Sequence, residues 1–97
     1  RKAWGRIFES GIGAYLVSQA FVHRFEVFYW RERDDEVDFV LRKKGSVVAI
    51  EGKSNAEKRT EGLDKFRKLF NPQSAFIVGD GGISAEDFLS MDLSKLF

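Results

Sequence analysis

Cysteine is absent from the chain, and histidine occurs once. Neither a disulfide framework nor a thiolate metal site can therefore be built. His23 has no second His or Cys near it and reads as a loop or packing residue, not a ligand. No apolar run approaches membrane-spanning length, and no signal peptide is visible. An excess of one charge is also missing. Sixteen Lys and Arg against fifteen Asp and Glu leave +1, so no global basic signal points to nucleic acid. The chain opens on Arg1 and not Met, which reads as a domain taken from a longer protein.

What is present is a globular composition, 43% hydrophobic and 32% charged, with ten Phe to fill a core. Ninety-seven residues suffice for a single domain, 1–97. Charge is uneven locally. Arg42-Lys43-Lys44, Lys58-Arg59 and Lys65-Phe66-Arg67-Lys68 are basic, whereas 32–38 is mostly acidic. Such clusters read equally as solvated surface or as phosphate-facing groups.

Residues 4–20 are predicted to be a helix, with Phe8, Ile12, Tyr15 and Leu16 as its apolar stripe and Glu9 at the stripe's edge. Gly5, Gly11 and Gly13 in that helix suggest close approach of another backbone. Strands are expected at 25–31, 36–42 and 47–53, with a turn at 32–35. A second helix is expected over 57–70, capped at Ser54-Asn55, buried through Leu63, Phe66, Leu69 and Phe70, and stopped by Asn71-Pro72. A short strand at 75–78 then completes a strand-helix-strand crossover with a parallel pair. Gly79 to Gly82 reads as a turn, lacking the Lys-Ser/Thr of a phosphate loop. Ser84-Ala85-Glu86-Asp87 reads as the capped start of a last helix.

The middle strands carry the chemistry. Any even-length loop centred between Lys44 and Gly45 sets Asp38 opposite Glu51. Directly opposed like charges are destabilising, and a cation would offset them. Lys53 follows Glu51 at period two and so shares its face. Strict alternation along 36–42 places Val37, Phe39 and Leu41 on one face and Asp38 and Val40 on the other. Reflection about the turn at 32–35 sets Trp30 near Val37 and Phe28 near Phe39, as one apolar face. Tyr29, Asp38, Glu51 and Lys53 fall on the opposite face. Two carboxylates and an ammonium are the minimum for metal-assisted phosphodiester cleavage. The bland reading of these residues is a set of ordinary surface ion pairs.

The order helix, three antiparallel strands, helix, strand, helix, with Glu9, Asp38, Glu51 and Lys53 in it, resembles the restriction-endonuclease-like, or PD-(D/E)xK, nuclease superfamily. The phrases Gly5-Arg6-Ile7-Phe8-Glu9, Tyr29-Trp30-Arg31, Glu36-Val37-Asp38-Phe39-Val40 and Ile50-Glu51-Gly52-Lys53-Ser54 look more specifically like a domain of unknown function. That domain follows the ATPase module in prokaryotic AAA-type ATPases. The sequence departs at Gly52, where related domains more often have Val, and it lacks the Pro before Asp38.

The resemblance implies an α/β fold with a mixed central sheet flanked by helices, a cytoplasmic setting, and DNA and the attached ATPase domain as partners. It also implies a metal-dependent endo- or exodeoxyribonuclease. Asp38, Glu51, the Gly52 carbonyl and Glu9 would hold Mg²⁺, which takes oxygen ligands, with Mn²⁺ as its substitute. Lys53 would orient the attacking water or neutralise charge on the phosphate. Tyr29 would support the ligands or wall the substrate. Arg42, Lys43, Lys44, Lys58 and Arg59 are the candidate nucleic-acid contacts. The rival expectation is a non-catalytic accessory module that positions DNA or protein for the ATPase.

Overall fold

In the computed structural model the described residues are 3–53 and 61–97, with side chains described from Ser10 onward. Helix α1 runs Ala3–His23. It ends at Arg24, whose φ of 59° is left-handed and whose N–H donates to the Ala20 carbonyl at 2.8 Å, a common helix stop. The helix outlasts the expected one because nothing before Arg24 breaks it.

Strands β1 (Glu26–Glu32), β2 (Asp35–Lys43) and β3 (Ser46–Lys53) form an antiparallel meander. Lys43 pairs with Ser46, so the second hairpin loop is only Lys44 and Gly45, with φ of 49° and 85°. Two positive φ values in a two-residue loop match the twist of the flanking strands. The even-length loop expected from the sequence is therefore present. Helix α2 (Glu61–Phe70) leads to β4 (Ser74–Gly79), which pairs parallel to β3. The expected start of α2, with its cap at Ser54-Asn55, lies outside the described residues. Sheet order is β1-β2-β3-β4. A last helix, α3 (Ala85–Ser90), is capped as expected, with Ser84 Oγ accepting from the Asp87 N–H. A 3₁₀ turn at Leu93–Leu96, not foreseen, closes the chain.

The sheet separates two cores. On one side Ile12 and Leu16 of α1 pack with Leu41, Val48, Ile50, Val78, Phe88 of α3 and Leu93. On the other, Leu63 and Phe66 of α2 pack with Val37, Val40 and Ala49. Trp30 belongs to this second layer, edge-on to Phe66 at 5.4 Å and to Phe70 at 6.1 Å. Two expectations need correction here. Leu69 and Phe70 are half exposed, at 53% and 52%, because α2 meets the sheet through Gly62, Leu63 and Phe66. Gly13 faces the Phe39 ring and not a backbone, while Gly11 faces open space. The close backbone approach is made elsewhere. A Cβ on Gly62 would lie 2.1 Å from the Glu36 carbonyl oxygen, so only glycine lets α2 settle on β2 there.

Strict alternation along β2 also fails. Val40 pairs with Phe28 but Val37 pairs with Trp30, leaving Asp38 and Phe39 together opposite Tyr29. This two-against-one bulge turns Val37 and Val40 to the α2 side and Phe39 and Leu41 to the α1 side. The Trp30–Val37 neighbourhood holds. The Phe28–Phe39 one does not, since the bulge hands Phe28 to Val40.

Candidate active site at the end of the β2–β3 ladder

The bulge falls on the first candidate acid. Asp38 lines a cleft beneath α1 together with Phe39 and Tyr29, on the opposite side from Val37 and Val40. Alternation from Ala49 and Ile50 assigns Glu51 to the Ala49 side, where Ile77 stands beside it in the β3–β4 ladder. The expectation that Asp38 and Glu51 share one sheet face is therefore corrected: the bulge turns Asp38 to the α1 side while Glu51 stays on the α2 side, and the two carboxylates approach each other only around the end of the β2–β3 ladder. The last paired residues are Phe39 and Ile50. Beyond them Glu51 Oε1 accepts the Asp38 N–H at 3.1 Å, and Asp38 Oδ2 accepts the Gly52 N–H at 3.0 Å. Each acid thus binds the other strand's main chain in place of a continued ladder.

Both acids are buried, Glu51 at 1% exposure and Asp38 at 9%. A desolvated carboxylate costs several kcal/mol, and hydrogen bonds to charged groups return about 1.5–3 kcal/mol each. Among the described residues, every buried side-chain nitrogen and oxygen has a hydrogen-bond partner. Lys53 follows at half-burial, opposite Gly79, with its carbonyl accepting the Asp80 N–H at 2.8 Å.

Tyr29 stands opposite the bulge, as expected, but its hydroxyl is engaged elsewhere. It donates to Glu36 Oε2 at 2.6 Å. That bond, with lesser help from desolvation and the Glu36 charge, pushes the phenol above its ordinary pKa. Glu36 was missed by the sequence reading, although the Trp30–Val37 register already makes it the diagonal cross-strand neighbour of Tyr29 on one face.

The basic residues are distributed away from the acids. Arg42 pairs with Glu26 at 2.8 Å and lies over the Phe28 ring at 4.8 Å. Lys43 and Lys44 sit at the far end of the hairpin. Six residues of strand, at about 3.3 Å each, separate Lys44 from Asp38 by about 20 Å. Lys65 binds Glu32 and Asp35, and Arg67 donates to the Ala75 carbonyl. Lys58 and Arg59 lie outside the described residues, and Glu9 falls in α1 with its side chain outside them.

A hard divalent cation fits the donor type, since carboxylate and carbonyl oxygens are what Mg²⁺ takes. Among the described residues, no group of three or more His, Cys, Asp and Glu side chains is arranged to hold an ion. The expected ligand set needs Glu9 beside Asp38 and Glu51, and the Glu9 side chain lies outside the described residues. Among the described residues, no helix is long and apolar enough to cross a membrane.

No curated protein and no solved structure matches the chain significantly. Residues 4–88 match a family described as a domain of unknown function, DUF4143. That span runs from α1 to Phe88 in α3 and includes the hairpin with both acids. The chain therefore belongs to the DUF4143 family.

Proposed function

We propose that the domain holds a Mg²⁺-assisted site for hydrolysing DNA phosphodiester bonds, on a restriction-endonuclease-like frame attached to an AAA-type ATPase in the cytoplasm. The observation that carries the reading is the reciprocal tie between Asp38 and Glu51. It holds two buried carboxylates within one knot of backbone, just before Gly52 and Lys53. Asp38 and Glu51 would hold a divalent cation, which when bound would supply a water of lowered pKa and charge stabilisation at the phosphate. In this reading Glu9 completes the ligand set, and Lys53 neutralises charge developing on the phosphate. The element order and the β3–β4 parallel pair agree with that frame.

The same hydrogen bonds favour a second reading. Carboxylates that cap main-chain donors also serve purely as staples, and the domain then positions nucleic acid or protein for the ATPase without cutting. Thermal unfolding with and without Mg²⁺ or Mn²⁺ separates the two. A site that binds metal gains about 2.7 kcal/mol at a hundredfold excess over the dissociation constant, and Asp38→Asn removes the gain. An unchanged wild-type midpoint at saturating metal rules out the metal site.

A further inference from the structure

We infer that the cleft between α1 and the β1–β2 edge seats an unstacked nucleobase, so that the strand presented to the carboxylates is single-stranded. The inference rests on the hydrolytic reading of Asp38 and Glu51 and names the substrate class of that site.

The cleft is open and shallow, with a volume of about 460 Å³, within the roughly 300–1,000 Å³ of small-molecule sites. One wall is a single face of α1, because Ser10, Gly13, Ala14 and Val17 recur at helical spacing. Small side chains at the first three positions keep this wall low. The other wall is Val27 and Tyr29 of the edge strand, and the bulge supplies Phe39 and the Asp38 carboxylate. One end is therefore apolar and aromatic, and the proposed metal ligand lies in the same space.

This lining discriminates between nucleic-acid forms. A duplex shows its phosphates and sugars to a protein, and affinity for it comes from Lys and Arg neutralising phosphates. Among the described residues, no Lys or Arg lines this cleft. Arg42 is held by Glu26 and Phe28, and Lys44 is about 20 Å along the strand from Asp38. A base released from its stack, in contrast, offers two flat apolar faces. Valine and aromatic side chains bind such faces without regard to base identity. Tyr29 is 57% exposed and Val17 62%, so both are available at the mouth. The bulge that turns Asp38 toward α1 also turns Phe39 there, which couples the base seat to the acid that meets the phosphate.

The test measures binding and cutting separately at one fixed salt concentration. Fluorescence anisotropy in EDTA compares a labelled single-stranded oligonucleotide with the same sequence as duplex. The protein is wild type, Val17→Trp, which fills the mouth, or Tyr29→Ala, which removes a wall. Single strand is expected to bind at least tenfold more tightly than duplex. Each substitution is expected to weaken single-strand binding by roughly 5- to 150-fold, the range spanned by one lost base–aromatic stack, and to leave duplex binding as it was. Equal or tighter duplex binding, or single-strand binding indifferent to both substitutions, overturns the inference. Circular dichroism confirms that both variants are folded, and Phe28→Ala, across the sheet from the cleft, serves as a second surface control expected to bind like wild type. Cutting with Mg²⁺ distinguishes the two failures. Cleavage of duplex but not of single strand overturns the base seat and leaves the hydrolytic reading standing. Single-strand binding with no cleavage of any substrate overturns the hydrolytic reading and leaves the base seat.

Discussion

The Asp38 N–H donates to Glu51 Oε1 at 3.1 Å, while Asp38 Oδ2 accepts the N–H of the residue after Glu51 at 3.0 Å. Each acid is thereby fixed to the other's strand. The ladder stops at Phe39–Ile50, and the side chains carry the pairing one residue further. This arrangement gives each carboxylate a structural duty whether or not a metal binds.

That duty predicts different costs for different replacements. Glu51→Ala leaves the buried Asp38 N–H without its acceptor and is expected to lose about 1–3 kcal/mol in urea unfolding. Glu51→Gln keeps an oxygen at the same place and removes a charge. It should match or exceed the metal-free wild type. Alanine and glutamine variants of equal stability contradict the tie.

Asp38→Asn tests the repulsion from the other side. Asparagine still accepts the Gly52 N–H, but one of two opposed charges is gone. The metal-free midpoint is expected to rise, and the response to Mn²⁺ to disappear. A lowered midpoint with an intact Mn²⁺ response means that repulsion is not what the metal offsets.

How α2 is seated can be checked with two glycines of opposite expectation. Gly62→Ala drives a Cβ into the Glu36 carbonyl and should cost about 1–3 kcal/mol. Gly11→Ala meets nothing within 4 Å in the middle of α1 and should stabilise by about 0.5–1 kcal/mol. Equilibrium unfolding of both variants decides, and a neutral Gly62→Ala contradicts the packing described.

The Tyr29–Glu36 bond has a signature at alkaline pH. A phenol whose folded pKa is raised contributes its stability below the unfolded pKa and loses it as pH rises through the folded one. Alkaline ultraviolet titration of a Tyr15→Phe protein, which isolates Tyr29, should give a midpoint above that of free tyrosine. Glu36→Ala should lower it, because the hydrogen bond is the main cause of the shift. An unmoved midpoint removes Glu36 from the bulge's support.

Much of this arrangement is legible in the sequence. The Lys44-Gly45 turn fixes the β2–β3 register as far as its last pair, Phe39–Ile50, which brings Asp38 and Glu51 next to each other but does not fix the face on which Asp38 ends. Apolar spacing identifies Ile12, Leu16, Leu63 and Phe66 as core. The bulge was missed although the sequence hints at it, since Val40 is apolar where alternation from Asp38 calls for a polar residue and Phe39-Val40-Leu41 run together. It is imposed by partners distant in sequence, with Trp30 and Val37 held under α2 while Phe39 and Leu41 serve the α1 side. The placement of Phe39 and Asp38 in the α1 cleft follows from it. The fate of Arg42 was hidden for the same reason, because Glu26 and Phe28 reach it only across the β1–β2 ladder.

The most direct measurement is Mg²⁺- and Mn²⁺-dependent cleavage of single-stranded and duplex DNA by wild type and Lys53→Ala, in the isolated domain and in the ATPase-linked protein. Lys53→Ala leaves both carboxylates and is expected to keep the metal-dependent rise in melting temperature. Its cleavage rate should fall by about 10²–10³-fold, as for one lost transition-state donor. Cleavage by Lys53→Ala at the wild-type rate, or no cleavage by wild type with either metal in either form, contradicts a phosphodiester-hydrolysing site at Asp38, Glu51 and Lys53.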